Sequence, residues 1–223
     1  MKRLLSSIRT MARSVLFYGG LKIAGWAKMS YIIGSHLAFF SAANVFFPAG
    51  GLLLGVSGSC IWFTLSSFVR ILIGSPLYVH LIYGIPGFCA ALYMASSHML
   101  IRFIVPLVCM ILFITHSVGF TAAPYAFYWL IPIALYIIKK RSLFTDALGA
   151  TFVAHAVGSV FWLYLVPMPS AYWWGLIPVV AIERICFAAG AVLVYKGCMY
   201  CSRILSNRKM HVASCNVLFG NNR

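Results

Sequence analysis

Glu183, His155, Ser159, His36 and Asn44 are the residues of this chain that could do chemistry, because each is a polar side chain set inside a long apolar run. Glu183 is one of two carboxylates in 223 residues, Asp146 being the other, against 17 Lys+Arg. It stands in Ile177-Pro-Val-Val-Ala-Ile-Glu-Arg-Ile-Cys186, with Arg184 beside it. An ionisable group at that depth in hydrocarbon costs several kcal/mol unless it is paired or faces water. Adjacent helical residues point about 100° apart, so Glu183 and Arg184 need not pair with each other. In the preceding apolar run Thr151, His155 and Ser159 share one helical face at four-residue spacing. If the two runs form an antiparallel hairpin across Val166-Pro-Met-Pro-Ser170, His155 and Glu183 both fall near mid-depth. A His155–Glu183 contact is therefore expected. It would serve as a substrate-binding polar cluster, a proton relay or an interhelical structural hydrogen bond. His36 and Asn44, eight residues apart, add polar positions on one face of an earlier run. Trp162, Tyr172, Trp173 and Trp174 supply aromatic surface near the same turn.

Two fragments imitate an intramembrane serine protease. Gly55-Val-Ser-Gly58 looks like a G-x-S-G nucleophile motif, and Ala154-His155 with Gly158 looks like part of its base helix. That chemistry needs Ser57 within hydrogen-bond reach of His155 and a donor completing an oxyanion hole. The intervening chain holds too many apolar runs, no H-x-x-x-N oxyanion motif is present, and Trp162 stands where the motif has its last glycine. In the tail, Cys198, Cys201, His211 and Cys215 have the ligand types of a zinc site at a loose spacing. Palmitoylation or no role is the plainer reading of Cys198 at a membrane boundary. No phosphate-cradling loop, H-E-x-x-H or carboxylate pair occurs, so an autonomous ATPase and two-acid metal chemistry are excluded. No metal or cofactor is expected.

The elements that must hold these residues are membrane spans. The chain is 63% hydrophobic and 9% charged, where a soluble domain carries about a quarter charged residues. With a mean hydropathy of +0.97, its apolar surface exceeds what one core of this size can bury. Lipid is the solvent, and the fold class is all-α, a polytopic integral membrane protein. The net charge of +15 sits at the ends of apolar runs, as positive-inside bias places it, and does not indicate nucleic acid.

The clearest spans are 29–47, 51–69, 71–97, 146–166 and 171–195. The stretch 102–138, with Pro106, Pro124 and Pro132, holds one long span with a re-entrant piece or two short spans. Parity of the basic clusters gives about six spans, with seven possible, and both termini cytoplasmic. It places Arg70 inside and leaves Arg102 as a minor external exception. Residues 1–28 read as a basic amphipathic segment lying on the membrane, or as a presequence. Residues 29–197 are the transmembrane domain and 198–223 a basic cytoplasmic tail. Asp146, beside Lys139-Lys140-Arg141, reads as a helix N-cap. The scattered cysteines Cys60, Cys89, Cys109 and Cys186 read as apolar core residues.

Gly34, Ala38 and Ala42 lie four apart on the first span and make a smooth face for close helix approach. With Phe46-Phe-Pro-Ala-Gly-Gly-Leu-Leu-Leu-Gly55 opening the next span, the chain resembles the substrate-binding S component of an energy-coupling-factor transporter. The resemblance covers most of the chain as architecture. It implies that Gly34, Ala38 and Ala42 dock on a transmembrane coupling subunit, with energy from separate ATPases. The function expected is capture or transport of a small solute across the lipid bilayer, a bacterial inner membrane. His155, Ser159, Glu183, Trp162, Trp173, Trp174, His36 and Asn44 are the binding residues. A protease-like membrane enzyme and a non-catalytic structural membrane protein are the competing classes.

Overall fold

The computed structural model describes residues 2–31, 39–139 and 141–219. It is helical apart from one short ribbon. Helix α1 (Lys2–Ala24) leads into β1 (Lys28–Tyr31), which pairs antiparallel with β2 (Phe39–Ser41). Then follow α2 (Ala43–Leu72) and α3 (Leu77–Ala95). A π-helical turn, Leu100–Ile104, runs into α4 (Val105–Thr115), and α5 (Ser117–Thr121) precedes a 3-10 segment, Ala123–Trp129. The chain finishes with α6 (Leu130–Ile138), α7 (Leu143–Leu165) and α8 (Ser170–Phe219). Among the described residues three stretches have the length and apolar composition to cross a membrane: Leu143–Leu165 and Ser170–Leu205 as continuous helices, and Ala43–Leu72, which is interrupted at Gly55.

The exterior is apolar and several polar groups are inside, the reverse of a soluble fold. Ile61, Leu65, Ile137, Ile182 and Leu193 are exposed, whereas Arg102, Thr151, His155, Ser159 and Arg184 are buried. Lipid facing these helices accounts for both. Cys60 and Cys186, expected in the core, belong to the exposed surface.

The expected span over 29–47 does not form as a helix, since β1 and β2 occupy part of it. Ala42 follows β2 as the N-cap of α2 and donates its backbone N–H to Ala27 O at 2.9 Å. Gly34, Ala38 and His36 lie outside the described residues. The segment 1–28 does contain a helix, but α1 is packed against the body of the protein. Phe17 is buried against Phe46 and Gly50, and Arg13 Nε donates to Ser202 Oγ at 3.4 Å. Thus α1 runs antiparallel to the start of α2 and to α8. Helix α8 continues unbroken past Cys198, so no structural break marks the expected boundary of the tail.

Gly55 divides α2 into limbs 43–54 and 56–72, because its φ of 69° and ψ of −174° leave the helical region. Phe47 and Trp62 would be about 22 Å apart along a straight helix, yet their rings are 5.7 Å apart. Phe47 also meets Gly87 while Phe63 stacks on Phe88 at 4.4 Å. The limbs therefore fold back on one another along α3. A positive φ is open to glycine at little cost, and Gly55 has it.

Two sets of contacts define the ends of the bundle. At one end Arg102 Nη1 donates to Asp146 Oδ1 at 2.8 Å, and Arg141 bonds both Asp146 and Ser97. Arg102 also donates to Ser96 O and Tyr93 O, and lies 4.1 Å over the Tyr93 ring. These contacts tie the end of α3, the π-helical turn and the start of α7 together. At the far end Tyr164 Oη donates to Leu112 O at 3.0 Å, and Trp174 Nε1 donates to Thr121 O at 3.1 Å. The second limb of α2, α3, α4 with its π turn, α6 with its 3-10 segment, α7 and α8 run along the bundle. The 102–138 stretch supplies two of these as short helices.

Arg102 accordingly sits with the basic cluster rather than opposite it, and Arg70, at the end of the second limb, lies at the far end. Both placements reverse the expectation, because one helical pass, not two, precedes Arg70. The N-cap of α7 is Ser142, in a capping box with Thr145, and Asp146 is one turn further on. Its carboxylate serves the two arginines.

Candidate functional site

The first limb of α2 together with α3, α7 and α8 encloses a pocket whose empty space, open mouth included, is about 960 Å³. Of this, the volume open to the centre of a water-sized sphere is about 80 Å³, several times what one water needs. Its wall is built by helical spacing. Thr151, His155, Ser159 and Trp162 come from one face of α7, Trp173, Leu176, Val180, Glu183 and Phe187 from one face of α8, and Asn44, Phe47 and Pro48 from the first limb of α2. Pro86 and Gly87 of α3 close the side opposite α8, and Tyr125 of the 3-10 segment closes the back.

Of the residues proposed from sequence, His155, Ser159, Glu183, Trp162, Trp173 and Asn44 line this pocket. Trp174 does not; it points outward at the far end, 49% exposed, with its N–H on Thr121 O. Trp173 is buried, edge-on to Phe113 and Tyr125 at 5.1 and 5.0 Å.

The expected His155–Glu183 contact is replaced by two separate pairings. Thr151 Oγ1 lies 3.4 Å from Arg184 O, which sets the register of α7 on α8 and puts Glu183 about a turn from His155. Glu183 Oε2 accepts from Arg184 Nη2 at 3.1 Å. His155 turns to the 3-10 segment. Trp129 Nε1 donates to its Nδ1 at 3.1 Å, and Tyr125 Oη is 2.7 Å from its Nε2.

Because an indole N–H only donates, Nδ1 of His155 is an acceptor and the ring proton sits on Nε2. Nε2–H then donates to Tyr125 Oη, and the phenol proton goes on to Ser159 Oγ at 3.1 Å. Both ring nitrogens of His155 are therefore engaged within the wall. Ser57 is exposed just past the Gly55 reversal, and no bond joins it to His155 among the described residues. A Ser57–His155 nucleophile pair does not form.

The tail presents no metal site in its described part. Cys198 is buried beside Phe17 and Leu53, Cys201 is exposed, and the side chains of His211 and Cys215 lie outside the described residues. Among the described residues no cluster of His, Cys, Asp and Glu could hold a metal ion.

Tyr125, Trp129 and Arg184 complete the site, and sequence reasoning had not assigned them to it. Tyr125 and Trp129 sit in an aromatic-rich stretch, Pro124-Tyr-Ala-Phe-Tyr-Trp129, that by composition reads as an interface. The signal available was the proline that breaks the apolar run there. The fold and site together define a helical membrane protein with an internal, polar-patched pocket. No protein-family model, curated protein or solved structure matches the chain.

Proposed function

We propose that this protein is a membrane-embedded binding subunit for a small solute, the capturing part of a transporter. Energy would come from separate coupling and ATPase subunits, since the sequence carries no nucleotide motif. The observation that carries the reading is the pocket: buried polar groups converge on one largely apolar space in a molecule with an apolar exterior. A few placed polar groups on an otherwise apolar wall are the usual composition of a small-molecule site. On this reading the six stretches that run along the bundle are six membrane crossings, the basic end with both termini is cytoplasmic, and the membrane is a bacterial inner membrane. The resemblance to the S component of energy-coupling-factor transporters supports the same assignment.

A thermal-shift screen against fractionated small-molecule extract tests the function. One fraction is expected to raise the melting temperature of the wild type and leave Gly158→Phe unmoved. The Cβ of that variant meets Pro86 at an ordinary 3.5 Å, and its ring takes up pocket space. A shift of equal size in both proteins would contradict the site. The orientation is checked by cysteine labelling in a cysteine-free background. Ser75→Cys, after Arg70, is expected to react with an impermeant maleimide in intact cells, and Lys196→Cys only after permeabilisation. The opposite pattern would invert the topology.

A further inference from the structure

We infer that the pocket takes a small organic cation with an aromatic or apolar body. The inference rests on the solute-binding reading and names the chemistry of the solute.

Glu183 is the only carboxylate on the pocket wall. Arg184 also lines the pocket. The Glu183 side chain is 13% exposed and that of Arg184 5%. The guanidinium is engaged by that carboxylate and stacked 4.7 Å over the Phe187 ring, which leaves the carboxylate the more accessible of the two. A carboxylate accepts at about four positions, and a cation in the pocket adds to the Arg184 contact without displacing it.

The second observation is independent of charge. Phe47, Tyr83, Tyr125, Trp162, Trp173 and Phe187 all contribute to the wall, and the faces of such rings attract a desolvated cation. His155 adds no competing positive charge, because Trp129 holds its Nδ1 as an acceptor.

Three bicyclic probes of nearly equal size separate the possibilities: N-methylquinolinium, 1-methylnaphthalene and 1-naphthoate. Binding is read by equilibrium dialysis on protein in phosphatidylcholine nanodiscs, whose zwitterionic surface attracts neither ion. The cation is expected to bind at least tenfold more tightly than the neutral probe, with the anion weakest. Glu183→Gln is expected to abolish that preference. Because it leaves a buried guanidinium without its carboxylate, Glu183→Gln/Arg184→Met is measured as well. In this double variant the cation should bind no more tightly than 1-methylnaphthalene measured on the same protein. A cation preference that survives the double variant, or equal or tighter binding of 1-naphthoate, overturns the inference while leaving a solute pocket in place. If none of the three is held, both the inference and the solute-binding reading fail.

Discussion

Asp146→Ala is expected to destabilise the protein by about 4 kcal/mol, the cost of removing one partner from a buried ion pair. Arg102 is 2% exposed, and Asp146 is the acid that neutralises it at 2.8 Å. The carbonyls of Tyr93 and Ser96 and the Tyr93 ring also hold the guanidinium, but none of them carries a compensating charge. The same carboxylate accepts from Arg141 at 3.1 Å, so its loss also loosens the connection entering α7. In detergent the melting temperature should fall by on the order of 10 °C. The double variant Arg102→Met/Asp146→Ala, which removes the stranded charge, is expected to recover much of that loss. Equal melting of the wild type and Asp146→Ala would mean that Arg102 is neutralised by something else.

Gly51→Val is expected to be nearly as damaging, for a reason of shape. A Cβ on Gly51 would be driven into the backbone carbonyl of Ala91, and a main-chain oxygen has no rotamer by which to move aside. The first limb of α2 and α3 would have to separate along the seam where Phe47 packs on Gly87. Overpacking costs about 1–3 kcal/mol in side-chain cores, and contact with backbone falls at or above the upper figure. Since that seam forms one wall of the pocket, ligand binding should be lost together with stability. Gly19→Val, where a Cβ meets nothing within 4 Å, is the matched control and is expected to melt within about 1 °C of wild type on this measure. Similar melting of both variants would contradict the close approach of the two helices.

The polar half of the site was legible in sequence because polarity in an apolar run is costly and has few remedies. That reasoning picked out Glu183, His155, Ser159 and Asn44 from the residue types alone, and all four face the pocket. It did not reach their pairing. Depth along a helix follows from counting residues, but the partner depends on rotation about the axis and on which neighbour fills the space. His155 finds Tyr125 and Trp129 from a segment broken by Pro124, and Glu183 takes the arginine next to it. Backbone breaks were the other blind spot. Gly55 reverses α2, yet as a residue type it is indistinguishable from Gly51, which serves close packing. The apolar run 29–47 has the composition of a span, yet β1 and β2 occupy part of it. Those two breaks change the end of the bundle at which Arg70 and Arg102 lie.

Native mass spectrometry of the protein released from its own membrane tests the solute-binding claim most directly. The wild type is expected to carry a non-covalent small-molecule adduct seated in the pocket between α2, α3, α7 and α8. Gly158→Phe, purified alongside it, should fly at its bare mass. A wild type that is bare under conditions preserving bound lipid, or an adduct that persists unchanged in Gly158→Phe, would contradict it.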